Sequence, residues 1–158
     1  MPAAKLSCKG YHGGLVLRRT PHAVYETLYH LGWSPKSRCD VLQGELPPRG
    51  RELSAEIAEY YDLTIEAMEV SPDHVHLFCS FPPRYSIVPV VTRFQRLSAR
   101  ALFRECPRIQ RRLWGGALWE DGYFARTVGD KISAEVIRRY SQQPRTEKAG
   151  DLQLNLFE

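Results

Sequence analysis

The sequence predicts an α+β fold of the ferredoxin-like (RRM-like) kind: a four-stranded antiparallel sheet with two helices on one face, plus a carboxyl-terminal helix. Three observations predict it. Apolar and polar residues alternate at period two through His74-Val75-His76-Leu77-Phe78-Cys79-Ser80 and the stretch before it. Apolar residues recur at helical spacing between Val90 and Leu102. The segments follow one another as strand, helix, strand, strand, helix, strand, helix, the order of a split pair of strand-helix-strand units. With 158 residues, 43% of them hydrophobic, the chain can bury a real core. One compact domain over 22–143 is therefore expected, between an amino-terminal lead-in over 1–21 and a tail over 144–158.

The lead-in contains Gly10, Gly13, Gly14 and the pair Arg18-Arg19, with no sustained apolar period. From Ala23 to Trp33 the chain is rich in Tyr, Val, Leu, Thr and Trp, which favour a pleated surface, and Ser34-Pro35-Lys36 stops this first strand. Pro47-Pro48-Arg49-Gly50 reads as loop punctuation. Leu53, Ile57 and Tyr60 then recur at helical spacing, predicting a helix from about Arg51 to Tyr61. Leu63 to Val70 alternates as a strand, and Ser71-Pro72-Asp73 turns the chain into the histidine strand, so the two form a hairpin. Ser86 is placed to cap the next helix, with Pro89 in its first turn, where a missing amide proton does little harm. That helix buries Val90, Val91, Phe94, Leu97, Ala101 and Leu102, and Cys106-Pro107 ends it. Tyr123 to Val128 is the last strand, and Ile132 to about Gln143 the final helix, capped by Ser133 or Asp130.

Composition excludes several classes. No apolar run approaches a membrane span, and the first residues lack the apolar stretch of a secretory signal, so a cytoplasmic protein is expected. Cys8, Cys39, Cys79 and Cys106 stand far apart without a Cys-x-x-Cys pair, which argues against a zinc knuckle or a disulfide framework. The net charge is +4, and arginine far outnumbers lysine among the basic residues, a balance suited to bidentate phosphate recognition. Nucleic acid is the partner this favours.

His74 and His76 project from the same face of their strand, where two imidazoles can close on one divalent ion. Two histidines at period two on a half-buried sheet are also a common packing pattern, so the pair alone leaves both readings open. Arg93, Arg96, Arg100 and Arg104 share a helix face, which is either a solvated surface or a contact for phosphates. Trp114 and Trp119 in the glycine-rich loop either stack on unpaired bases or plug the end of the core, and the plug is the favoured reading. On the final helix Tyr140 lies on the side of Val136 and Ile137, preceded by Arg138 and Arg139 and followed by Gln142 and Gln143. It is either a last core aromatic or a nucleophile whose phenol, with a reference pKa near ~10, needs cationic surroundings and a metal-polarised target.

Taken together, four segments resemble the single-tyrosine HUH transposases of small insertion sequences, including repeat-associated tyrosine transposases. They are Tyr29-His30-Leu31-Gly32-Trp33-Ser34-Pro35-Lys36, Pro72-Asp73-His74-Val75-His76-Leu77-Phe78, Leu113-Trp114-Gly115-Gly116-Ala117-Leu118-Trp119 with Tyr123-Phe124, and Val136-Ile137-Arg138-Arg139-Tyr140. The resemblance runs from about Ala23 to Gln143. It implies a homodimer that binds single-stranded DNA hairpins and cuts and rejoins one strand without ATP. By that likeness His74 and His76 hold Mg²⁺ or Mn²⁺, and Tyr140 forms a 5′-phosphotyrosine bond. Arg93, Arg96, Arg100, Arg126, Arg138 and Arg139 are the candidates for the phosphate track.

One position departs from the pattern. The family places a glutamine metal ligand four residues beyond the tyrosine, and here that position is Pro144. Gln143, three residues on, returns to nearly the same helical face and is the candidate substitute. The departure keeps a second reading open, a non-catalytic or domesticated hairpin-binding protein on the same fold. In the tail, Gln153-Leu154-Asn155-Leu156-Phe157 resembles the peptide by which bacterial proteins bind the replication sliding clamp. The alternating leucines can equally fold back onto the sheet or a dimer partner.

Overall fold

The computed structural model describes residues 17–113 and 116–129. The expected final helix with Arg138, Arg139, Tyr140 and Gln143, the peptide Gln153–Phe157, Trp114 and most of the lead-in lie outside them. The elements run β1 (Arg18–Arg19), β2 (Val24–Tyr25), β3 (Tyr29–Trp33), α1 (Leu46–Tyr60), β4 (Thr64–Ser71), β5 (His74–Ser80), α2 (Ile87–Glu105), α3 (Pro107–Arg112) and β6 (Phe124–Thr127). The main sheet has the order β4-β5-β3-β6 with every neighbouring pair antiparallel. This is the expected ferredoxin-like sheet, and β5 is an inner strand.

The β5 alternation divides the sheet into two faces. Val75, Leu77 and Cys79 join Leu31 and Trp33 of β3 in one core with Leu53 and Ile57 of α1 and Val90, Val91, Phe94 and Leu102 of α2. The opposite face carries His74, His76 and Phe78 of β5 with His30 and Gly32 of β3. Both long helices therefore cover the apolar face, on the side of the sheet away from the histidines. In β4 one extra residue breaks the register between Ile65 and Ala67. This bulge lets Ile65 and Met68, three residues apart, both turn toward the core. Glu66, the residue at the bulge, pairs with Arg18 of β1.

Several elements differ from the sequence expectation. The strand expected over Ala23–Trp33 is two, because the Thr27 hydroxyl donates to the Phe81 carbonyl at 3.2 Å and shares a hydrogen bond with the Ser80 hydroxyl, interrupting the alternation. β2 instead pairs with Arg18–Arg19, so the end of the lead-in is a small hairpin. Helix α1 starts at Leu46 rather than Arg51, since Pro47 and Pro48 sit in its first turn, where amide protons have no helical acceptor. It closes through Asp62, whose φ of 61° lets the Leu63 amide donate back to the Ala58 carbonyl at 2.8 Å. Ser86 occupies the N-cap position of α2 but makes no side-chain capping bond. Pro107, which ends α2 as expected, also begins the six-residue α3 that the sequence reading did not include.

Trp119 plugs the core as favoured. It is 9% exposed, meets Trp33 edge to face at 6.2 Å, and donates its indole proton to Ser98 Oγ at 3.0 Å. The loop carrying it is tied to the end of β3 by Lys36 N–H to the Leu118 carbonyl and Glu120 N–H to the Ser34 carbonyl. Arg49 braces the two long helices, donating from Nε and Nη2 to the Glu105 carboxylate at 2.8 and 2.9 Å. Since Leu77 is fully buried in the core, opposite Leu31, Leu77→Ala is expected to cost about 3 to 4 kcal/mol of unfolding free energy in urea titrations. Val88→Ala, at a site 57% exposed on α2, is expected to stay within about 0.5 kcal/mol.

Candidate functional site

The turn Pro72-Asp73 returns β4 into β5 with Ser71 opposite His74, and this register places both histidines on the face away from the helices. Their rings stand 4.8 Å apart between centroids, tilted by 72°, a separation that two imidazoles sharing one ion can adopt. His74 donates from Nδ1 to Asp73 Oδ1 at 2.6 Å. His76 Nδ1 lies 2.8 Å from Nε2 of His30, so these two imidazoles share one proton along that line. In both β5 histidines the remaining ring nitrogen is Nε2.

His30 comes to the site through the β3–β5 register. It pairs with Phe78, while Gly32 pairs with His76, so no side chain stands between the His30 and His76 rings. A Cβ added at Gly32 would lie 3.6 Å from His76 Nδ1 and 3.7 Å from Phe124 Cβ. His30 itself is 8% exposed, stacked on Phe78 at 4.3 Å and met edge-on by Phe124 at 5.3 Å. Glu69 is opposite His76 on β4, and its carboxylate accepts from the Ser71 hydroxyl at 3.1 Å.

Burial pushes His30 down to about 4, with the nearby positive charge of Arg126 adding to the shift. Burial likewise pushes His76 down to about 3, helped by His74 and His30 and opposed by the Asp73 carboxylate. Both rings are therefore neutral at physiological pH, the state a metal ligand requires. An imidazole with Nδ1 engaged can offer Nε2 to a divalent ion, and nitrogen donors suit Mn²⁺ better than Mg²⁺, which prefers an all-oxygen shell. Among the described residues no group of three or more His, Cys, Asp or Glu side chains converges as a metal site. Two imidazoles would by themselves make only a partial shell.

The sequence of this chain matches the model of the family described as IS200-like transposases over residues 23–144. The chain belongs to that family. It is 37% identical over 120 residues to the ISDra2 transposase TnpA of Deinococcus radiodurans, covering 76% of this chain and 86% of that protein. A solved structure of a putative transposase from the same organism superposes with a TM-score of 0.67 at 31% identity, covering 80% of this chain and 98% of the other. A REP-associated tyrosine transposase solved bound to a REP hairpin shares the fold, with a TM-score of 0.53 at 10% identity over 77% of this chain and 67% of the other.

In this IS200-like chain the expected site residues fall in two places. His74 and His76 lie together on the histidine face, and exposed Arg126 shares it, opposite His30 on β6. Arg93, Arg96 and Arg100 belong to α2 and stand on the other side of the sheet. Arg96 and Arg100 are exposed there. Arg93 is half-buried, its guanidinium 4.3 Å from the Tyr61 ring and 4.7 Å from the Tyr85 ring, so it packs between aromatics at the helix layer. A cleft of about 500 Å³ lies at the end of β3, lined by Trp33, Ser34, Ser37, Glu120, Asp121, Gly122 and Tyr123. Its two carboxylates make it a poor seat for phosphate.

The residue that sequence reasoning passed over is His30. Its signal was present in the motif Tyr29–Trp33, but only the strand pairing shows that it reaches His76 rather than the core. The two lowered pKa values set the acid response of the metal-free fold. Unfolded, both rings take up protons near 6.5; folded, they do so only near 4 and 3. The unfolded chain therefore binds more protons in that interval, and stability, intact above about pH 6.5, is lost as pH falls, by up to ~1.4 kcal/mol per pH unit for each ring. Urea titrations at stepwise pH with a chelator present are expected to show this slope, and to show it halved in His30→Phe.

Proposed function

We propose that the chain binds single-stranded hairpin DNA as a homodimer and cuts and rejoins one strand through Tyr140. In this reading Mg²⁺ or Mn²⁺ is held by His74, His76 and Gln143. The observation that carries it is the pair of imidazoles on the sheet face opposite the two long helices, with Nδ1 of His74 engaged by Asp73 and Nδ1 of His76 engaged by His30. The hairpin is taken as the DNA form because a protein of the same fold is solved on one. An ion bound at the histidines supplies Lewis-acid withdrawal of charge from the scissile phosphate.

The phenol oxygen of Tyr140 attacks phosphorus in line. Its bond to phosphorus forms as the bond to the 3′ oxygen breaks, and the departing 3′-hydroxyl takes up the proton that the phenol gives up. The 5′-phosphotyrosine keeps the bond energy, so a second 3′-hydroxyl reseals the strand by the reverse displacement without ATP. Arg126, with Arg138 and Arg139, neutralises phosphates near the histidines. Arg96 and Arg100 contact backbone that passes around the helix layer, while Arg93 packs against the Tyr61 and Tyr85 rings. Gln153–Phe157 docks in the apolar pocket of the sliding clamp, and deletion of residues 152–158 is expected to abolish clamp pull-down.

Pro144, in place of the expected glutamine, favours one second reading, a hairpin-binding protein that no longer cleaves. A denaturing gel of the full chain with end-labelled single-stranded hairpin DNA and Mn²⁺ separates the two. Wild type is expected to form a covalent adduct, and Tyr140→Phe to reduce it by at least about 10³-fold with hairpin affinity within about twofold. An equal adduct in the variant overturns the nucleophile assignment. Salt-dependent binding with no adduct in wild type supports the second reading.

A further inference from the structure

We infer that His30 is a positioning residue for the metal: it accepts the Nδ1 proton of His76 and thereby fixes the tautomer that leaves the Nε2 lone pair for the ion. The inference rests on the metal reading above and adds to it a residue outside the His74–His76 pair. A hydrogen bond between two neutral imidazoles uses one N–H and one lone pair, so the 2.8 Å contact has two possible arrangements. If His30 Nε2–H donates, His76 carries its own proton on Nε2 and has no lone pair there for a metal. If His76 Nδ1–H donates, its Nε2 is a ligand and His30 carries its proton on Nδ1. Only the second is compatible with an ion, and which ring nitrogen is protonated is set by the bond the other nitrogen makes.

Geometry suits His30 to this role. Its ring is held flat on Phe78, at 14° between planes, and flanked by the Phe124 edge at 72°, so it cannot swing away from His76 without losing both contacts. Gly32, directly opposite His76, leaves the line between the two imidazoles clear. The first histidine of the pair has a matching arrangement, since Asp73 accepts from His74 Nδ1 at 2.6 Å. Each β5 imidazole thus has an acceptor behind it, one from its chain neighbour and one from the adjacent strand.

The test uses the full chain, with Mn²⁺ as the probe. His30→Phe keeps an aromatic ring on Phe78 but removes the acceptor, whereas His30→Gln offers a carboxamide oxygen near the place of Nε2. Electron paramagnetic resonance titration of Mn²⁺ is expected to show affinity weakened about 10-fold or more in His30→Phe and restored to within about threefold of wild type in His30→Gln. The ¹⁵N resonances of the metal-free wild type, assigned with His76→Asn, are expected to show His76 protonated on Nδ1. Equal Mn²⁺ affinity in wild type and His30→Phe, with His74→Ala and His76→Ala both weakened, overturns the role of His30 and leaves the metal site standing. No Mn²⁺ binding by wild type overturns the metal reading and this inference with it, while His76 found protonated on Nε2 overturns the inference alone. Should His30→Phe fail to fold, the wild-type tautomer and the His30→Gln affinity decide the matter.

Discussion

The two-residue period of β5 is the constraint on which the molecule depends. Val75, Leu77 and Cys79 must face hydrocarbon, and their fixed alternation places His74 and His76 on the other surface. A one-residue slip would exchange the two sets, burying polar rings among aliphatic side chains and exposing leucine to water. The register that builds the core therefore also builds the candidate site. Neighbouring strands hold the same phase: Leu31 and Trp33 go inward while His30 and Gly32 go outward, and the β4 bulge corrects the spacing so that Ile65 and Met68 still reach the core.

Placing both long helices on one side has an electrostatic result. Among the described residues the two long helices lie on the side of the sheet away from the histidines, and His30 and His76 are sheltered enough by each other and by Phe78 and Phe124 to remain uncharged at neutral pH. The histidine face thus sets imidazoles of lowered proton affinity, His30 and His76, beside the exposed cation Arg126. Membership of the IS200-like transposases gives this arrangement its context.

Much of this was legible in the sequence, and the limits have physical causes. The β5 pattern, the Ser71-Pro72-Asp73 turn and the Val90–Leu102 stripe are local periodicities, and each reports its element directly. The start of α1 was not legible, because a Pro-Pro pair marks a loop in most contexts and a helix first turn in a few. The break at Thr27 depends on acceptors at Ser80 and Phe81, far along the chain, which no local window contains. The α2 arginines illustrate the same limit: helical spacing grouped them correctly, but whether that group shares a side with the histidines is a property of the sheet. Arg93 left the group through its contacts with Tyr61 and Tyr85, and His30 joined the site through pairing across 46 positions.

The extra residue in β4 bears on how copies of the chain can meet. A sheet invites another strand wherever a long, straight border offers unpaired amides and carbonyls. Here one border is kinked at Glu66, whose carboxylate is already occupied by Arg18, and the other, β6, is only four residues long. Neither offers a good template for extension by a neighbour's backbone. Among the described residues, then, the sheet borders disfavour runaway strand addition, and any meeting of copies would fall to side chains on the broad surfaces, where contacts can close on a finite number of molecules.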